Sequence, residues 1–248
     1  MKKLLVFVVA VLAILFSAHL YAFAGNGKAG ENRQLKGFER IRLVGSPDIK
    51  YIQGKTWSVR VKAPQKVMKK VETRVEGNCL VVSMKDHSIF SLKTIKGGEV
   101  TVYVTSPDLI GVEVNGSGDF ESKGQVDTDN LDIRLKGSGD IVFDEVICDA
   151  VKTSLVGSGD VEIKNVTTQY SSVELVGSGD VKMNQKHARK TQLELKGSGD
   201  IKVHSDQCGI IDCRLVGSGD ITLTGSAKKL TQTIRGSGDI ERKGLIIK

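Results

Sequence analysis

The tetrapeptide Gly-Ser-Gly-Asp occurs seven times in this chain, at an almost constant spacing. Successive copies are 21, 20, 20, 20, 20 and 19 residues apart. The glycines that open the copies are Gly116, Gly137, Gly157, Gly177, Gly197, Gly217 and Gly236. A fixed period in this range predicts a repeat architecture, because each unit buries its apolar face only by stacking on its neighbours.

Apolar residues recur at the same places around every copy. A large aliphatic residue stands five positions before each Asp, namely Val114, Leu135, Leu155, Leu175, Leu195, Leu215 and Ile234. Another apolar residue directly follows each Asp, namely Phe120, Ile141, Val161, Val181, Ile201, Ile221 and Ile240. Residues such as Glu162 and Lys182, which lie between the apolar positions, are mostly polar. This alternation with period two predicts a half-buried strand on each side of the tetrapeptide.

The repeat therefore predicts an all-β fold of stacked coils, in which the tetrapeptide forms a sharp corner between two short strands. Glycine permits the positive φ or the close backbone approach that a corner needs, and Ser and Asp side chains bond nearby N–H groups. At a strand spacing of about 4.8 Å, seven coils make a rod about 30 Å long. An antiparallel meander closed by the same tetrapeptides is the alternative. The constant perimeter favours the coils without excluding the meander.

Three segments of the chain differ in character. Residues 1–24 begin Met-Lys-Lys, continue with an apolar run of 13 residues and end near Ala-Phe-Ala, which is the pattern of a cleaved secretory signal peptide. Residues 25–111 form a degenerate β portion with one altered corner, Gly-Ser-Pro-Asp. Residues 112–248 hold the regular repeat. We predict export with cleavage after Ala24, and no transmembrane segment in the mature protein.

The charge of the chain is modest and mixed in sign. The formal net charge is +7, from 36 basic and 29 acidic residues, and it falls to +5 (7 − 2) without the two lysines of the signal peptide. Aromatic residues make up 5% of the chain. Nucleic-acid-binding proteins concentrate basic residues on one stripe, with aromatic residues among them. The interspersed charges here predict a solvated surface and no nucleic-acid partner.

The four cysteines carry no metal-ligand spacing. They are Cys79, Cys148, Cys208 and Cys213. In the predicted coil Cys213 takes an inward position, so we expect a buried free thiol. Cys148 and Cys208 share one phase three coils apart, about 14 Å at strand spacing, and a disulfide needs Cα atoms within about 7 Å. We therefore expect no bond between them.

Stacking the coils also stacks one carboxylate per coil. The acids are Asp119, Asp140, Asp160, Asp180, Asp200, Asp220 and Asp239. Neighbouring carboxylates at this spacing repel by about 3 kcal/mol at an effective dielectric near 20. Either corner N–H groups offset the repulsion, helped by Lys136, Lys196 and Arg235, or a row of calcium ions does. Calcium-binding β-rolls repeat about every nine residues rather than 20. The period therefore favours a structural, metal-free role for these acids.

Catalysis and binding make different demands on such a scaffold. An active site should break the repeat, but the acids that do so, Glu99, Asp127, Asp129 and Asp206, have no recognisable catalytic partner. We predict no catalytic residue and no cofactor; a β-helical polysaccharide lyase or hydrolase is the alternative. Recognition is expected in residues 86–98 and in the variable loops. An outward apolar strip of Val156, Val176 and Val216 is a further option, although scattered exposed valines are ordinary.

Three stretches resemble one known family. They are FERIRLVGSPDIKYIQG, VEGNCLVVSM and VTSPDLIGVEVNGSGD, followed by the tandem repeats. From about Phe38 to the last repeat, the chain resembles the family "putative auto-transporter adhesin, head GIN domain". The resemblance implies a right-handed parallel β-helix and an adhesin-like protein exported by Bacteroidetes-type bacteria. Its expected place is the periplasm, the cell surface or the medium, and its expected partner a cell-surface macromolecule or polysaccharide. A homo-oligomer is left open.

Overall fold

A computed structural model describes residues 28–85 and 100–248. The strands are β1 (Lys28–Arg33), β2 (Arg40–Gly45), β3 (Asp48–Gln53), β4 (Ser58–Pro64), β5 (Val71–Glu76), β6 (Cys79–Met84), β7 (Thr101–Ser106), β8 (Gly111–Gly116), β9 (Phe120–Asp127), β10 (Asn130–Gly137), β11 (Ile141–Ile147), β12 (Ala150–Gly157), β13 (Val161–Thr167), β14 (Tyr170–Gly177), β15 (Val181–Lys186), β16 (Lys190–Gly197), β17 (Ile201–Gly217), β18 (Ile221–Gly236) and β19 (Ile240–Ile247). One short helix, α1 (Gln65–Met68), lies between β4 and β5. Within the described ranges no helix is long and apolar enough to cross a membrane.

The strands form two parallel ladders that face each other. The first ladder runs β2, β8, β10, β12, β14, β16 and then the C-terminal parts of β17 and β18. The second runs β3, β9, β11, β13, β15, then the N-terminal parts of β17 and β18, and β19. Equivalent strands pair in parallel, so the predicted β-helix of about seven turns is confirmed and the meander is excluded.

Each coil has two corners, and they differ. The first corner joins a strand of the first ladder to one of the second through the tetrapeptide. The second corner leads back to the first ladder through short connections at residues 128–129, 148–149, 168–169 and 187–189. In the next two coils β17 and β18 run through this corner as continuous strands. The variable loops expected from the sequence are thus only two or three residues long at these four corners.

Apolar columns fill the space between the ladders. Leu135, Leu155, Leu175, Leu195 and Leu215 lie in register and are fully buried, as predicted. Cys213 lies beside Leu193 in the same core, also as predicted. Burial raises the pKa of the Cys213 thiol to about 12, so the neutral thiol is the stable form. All four cysteines lie in the described residues and are free, so Cys148 and Cys208 do not pair.

The N-terminal coils are interleaved in a way that the sequence did not indicate. The coil formed by β2 and β3 lies between the coil of β6 and β7 and the coil of β8 and β9. The chain therefore leaves the stack after β3, returns on its outer side with β6 and β7, and then crosses to β8. Strands β4 and β5 pair antiparallel with β7 and β6, and β1 pairs with β4. Antiparallel strands thus cover this end of the stack.

Residues 86–99 connect β6 to β7 and lie outside the described residues. The predicted recognition segment 86–98 and the acid Glu99 fall in this range. The predicted signal peptide, residues 1–24, also lies outside the described residues.

Candidate functional site

Backbone contacts shape the first corner. Gly157 has φ of 140°, and a Cβ atom on Gly159 would lie 2.0 Å from the carbonyl oxygen of Gly139 in the neighbouring coil. The N–H groups of Ser158 and Gly159 donate to the carbonyl oxygen of Gly137 at 3.0 and 3.2 Å. The same contacts recur from coil to coil. Glycine is required here because the main chains approach too closely for any side chain.

The aspartate column accepts backbone hydrogen bonds across the coils. The N–H of Asp160 donates to Oδ1 of Asp140 at 3.0 Å, and the N–H of Asp180 donates to Oδ1 of Asp160 at 2.9 Å. The pattern continues along Asp48, Asp119, Asp140, Asp160, Asp180, Asp200, Asp220 and Asp239. Each carboxylate except that of Asp239, which ends the column, is therefore bonded by a peptide dipole of the next coil, which supports a structural role.

One of the three cations named from sequence acts elsewhere. Lys196 pairs with Glu174 and Glu194 on the outer face of the first ladder, at 3.2 and 3.0 Å. Lys202 is the residue that reaches the column, 3.1 Å from Asp200. Residues 28–85 and 100–248 contain no group of three His, Cys, Asp or Glu side chains placed to hold a metal ion. The metal-free state of the column stays a prediction.

Charges of opposite sign alternate on the outer faces. On the second ladder Asp144 lies 2.7 Å from Lys164, whose hydrogen bond lowers the pKa of that carboxyl. On the first ladder Arg42 pairs with Glu113 at 2.8 Å. Such exposed pairs contribute at most about 1 kcal/mol each. Both faces are thus solvated and mixed in charge.

The outward valines do not form a continuous strip. Val156 and Val176 are neighbours in the first ladder, and Val156 is 44% exposed. The next residue in the column is Lys196, which separates Val176 from Val216. The proposed apolar strip is therefore interrupted by a charged side chain.

A groove of about 590 Å³ opens beside the second corner, where the coils differ. We call it the second-corner groove; the side chains that define it are Thr128, Asp132, Lys152, Tyr170, Ser172 and Gln192. Two columns of the first ladder line it: Asn130, Ala150, Tyr170 and Lys190, and beside them Asp132, Lys152, Ser172 and Gln192. These columns span four coils, about 14 Å at strand spacing. Their side chains change type from coil to coil.

Two buried polar atoms at the groove have no partner within the described protein. Asp132 uses Oδ2 to pair with Arg134 at 2.6 Å and Arg40 at 3.7 Å, whereas its Oδ1 is buried and unbonded. The Thr128 hydroxyl is likewise unbonded, and that residue is only 8% exposed. An unsatisfied buried polar atom costs about 1–3 kcal/mol, so each such atom calls for an explanation. Both residues line the groove, and the two atoms lie buried in its wall.

Sequence reasoning found only one member of this groove. Asp129 was singled out as an acid that breaks the repeat, and it lines the groove. Asp127 and Asp206 have main-chain roles: the N–H of Asp127 donates to Gln53 at 2.7 Å, and the carbonyl of Asp206 accepts from His187 at 3.0 Å. The other members were missed. The available signal was the loss of repeat identity at the positions that begin each first-ladder strand.

Comparison with known proteins adds a family and a fold. Among solved structures, a "putative adhesin" from Bacteroides fragilis has a TM-score of 0.76 and 24% identity, covering 90% of this chain and 98% of its own. A "putative lipid binding protein" from Parabacteroides distasonis has a TM-score of 0.72 and 21% identity, covering 88% and 97%. A "putative adhesin" from the same species has a TM-score of 0.63 and 20% identity, covering 88% and 97%.

At these identities the likeness establishes the fold. None of the curated proteins matches. A sequence profile matches residues 37–208 and again residues 166–248, which together span most of the chain. The chain therefore belongs to the family "Putative auto-transporter adhesin, head GIN domain".

Proposed function

We propose that this protein is an exported, non-catalytic β-helical scaffold that binds a cell-surface macromolecule or polysaccharide. The contrast between the two corners carries the proposal. The Gly-Ser-Gly-Asp corner is the same in seven coils and its aspartates take part in backbone hydrogen bonds, whereas the second corner varies and opens into a groove with unsatisfied polar atoms. Binding residues are expected where a rigid scaffold presents variable positions.

The same contrast supports a binding role over a catalytic one. The repeated acids are used by the backbone, and the groove acid Asp132 is held by two arginines. A polysaccharide lyase or hydrolase is the rival function, because carboxylates and cations meet in this groove on a fold that some such enzymes share. Fold likeness alone does not carry an activity.

Export is part of the proposal. Residues 1–24 supply the predicted signal peptide, and both the family description and a similar solved structure carry the word adhesin. We expect the native protein in the periplasm, on the cell surface or in the medium, with Gly25 as its first residue. Mass spectrometry of native protein from fractionated cells tests this. A cytoplasmic protein that retains Met1 would contradict it.

Binding and turnover are separable in one assay. The purified protein is incubated with neutral and acidic glycans and with extracellular-matrix proteins, and each mixture is scored for binding and for new reducing ends or unsaturated products. Binding without turnover is the expected result. Turnover that disappears on changing one non-repeating acid would establish the enzyme instead.

A deletion then locates the recognition surface. Removal of residues 86–98 is compared with single substitutions of corner aspartates that leave the fold intact. We expect the deletion to lose binding and the corner variants to keep it. Loss of binding in Asp160→Asn, at an unchanged melting temperature, would move recognition to the repeated column.

A further inference from the structure

We propose that the second-corner groove is a subsite for a neutral glycan chain, with Tyr170 as the stacking platform and with Thr128 and Asp132 as hydrogen-bonding partners. This inference rests on the proposed binding function and names the ligand class. It follows from the aromatic side chain, the unsatisfied polar atoms and the charge balance of the groove.

Tyr170 has the exposure expected of a stacking residue. It is 50% exposed, and it takes part in neither of the ring contacts found in the described residues, which join Tyr51, Phe120 and Phe143. Its two neighbours in the ladder are Lys190 and Ala150, and Ala150 ends at Cβ and leaves space on one side of the ring. An aromatic ring offers an apolar face together with a polar edge. The apolar face of a sugar ring matches such a platform.

The unsatisfied atoms supply the complementary polar contacts. The Thr128 hydroxyl both donates and accepts, and the Asp132 carboxylate oxygen accepts. Ser172 and Gln192 continue the Asp132 column along the same groove and add a hydroxyl and an amide. A ligand rich in hydroxyl groups satisfies donors and acceptors of both kinds. The groove volume, about 590 Å³, lies within the range of small-ligand sites, about 300–1,000 Å³.

The charge balance favours a neutral ligand over an acidic one. The lining contains three basic side chains, Arg40, Lys152 and Lys190, and three acidic ones, Asp108, Asp129 and Asp132. Arg40 is paired with Asp132, and Lys190 lies 3.8 Å from Asp212. A uronic-acid or sulfated chain would meet as many carboxylates as cations. A neutral oligosaccharide meets no such repulsion and gains from the same hydrogen bonds.

Calorimetric titration with linear neutral hexasaccharides of glucose, mannose and galactose, and with their uronic-acid counterparts, tests the inference. We expect at least one neutral chain to bind more tightly than any acidic one. Tyr170→Ala should weaken that binding by about tenfold or more, and Tyr170→Phe should keep it within about twofold. Tyr103→Ala is the matched control, because Tyr103 is 45% exposed on the other ladder and outside the groove.

Thr128→Val distinguishes a ligand contact from a structural role. The substitution removes the unsatisfied hydroxyl, so binding should fall by about fivefold while the melting temperature stays or rises. Binding that survives both Tyr170→Ala and Thr128→Val overturns the groove but leaves the scaffold function standing. Binding of acidic chains only, or of no glycan while a matrix protein binds, overturns the neutral-glycan assignment alone. Absence of binding to every glycan and protein overturns the proposed function as well.

Discussion

The two corners of each coil perform the same turn under different constraints. At the first corner glycine main chains lie so close that a Cβ on Gly159 would reach 2.0 Å from the oxygen of Gly139. At the second corner the N–H of Asp149 donates to the carbonyl of Asp129 at 2.9 Å, and that of Gln169 donates to the carbonyl of Asp149 at 3.0 Å. Main-chain bonds of this kind do not depend on side-chain type. The first corner is therefore fixed in sequence, and the second is free to vary.

The inner columns repeat the contrast. Large leucines, among them Leu155 and Leu175, fill the space next to the first corner. Small or polar residues fill the space inside the second, in the order Thr128, Cys148, Thr168, Ala188 and Cys208. Stability is thus concentrated at the repeated corner, and variation at the other.

Leu175→Asp should abolish the cooperative fold. The side chain is fully buried between Leu155 and Leu195, and an unpaired carboxylate there costs several kcal/mol. Circular dichroism and thermal melting measure the loss. Leu175→Met is the control and should cost less than about 1.5 kcal/mol. A Leu175→Asp protein that melts at the parental temperature would contradict the leucine column.

Gly159→Ala should destabilise the protein by at least about 3 kcal/mol, because the added methyl forces two coils apart. The matched change at the second corner is Gln169→Ala, which removes a half-buried side chain and its hydrogen bond to Asp149 and should cost less than about 1 kcal/mol. Urea denaturation of both variants gives the two free energies of unfolding. Equal losses would remove the distinction between the corners.

Asp160→Ala should cost about 1–3 kcal/mol, because the N–H of Asp180 loses a charged acceptor. Asp160→Asn keeps an acceptor oxygen and removes one like charge from the column, so its loss should be smaller. Melts of the parent protein with calcium and with a chelator should coincide. A large rise of the melting temperature with calcium would show that the column binds cations.

Tyr170→Ala should change the free energy of unfolding by less than about 0.5 kcal/mol, since the ring is half exposed at the variable corner. The same thermal melt that detects Gly159→Ala provides the measurement. A loss as large as that of Asp160→Ala would mean that Tyr170 supports the fold. Its effect on glycan binding would then need a structural explanation.

The repeating unit could be predicted from the amino-acid sequence. The spacing of the tetrapeptides and the period-two alternation placed Leu175 and Cys213 in the core, because both patterns are local and recur in every coil. The same regularity kept Cys148 and Cys208 apart. The residue types of the tetrapeptide also indicated that the aspartate accepts a hydrogen bond from a backbone N–H. In the structure the donor is the N–H of the equivalent aspartate in the next coil.

The order of the N-terminal strands and the second-corner groove could be seen only in the tertiary structure. The interleaving of β2 and β3 between two later coils depends on which edge a strand pairs with, and several edges offer the same hydrogen bonds to a strand. The second-corner groove depends on stacking as well. Asn130, Ala150 and Tyr170 stand 20 positions apart in the chain, and they meet because parallel register aligns residues at that spacing. Whether the Thr128 hydroxyl finds a partner is then fixed by packing, which no local pattern encodes.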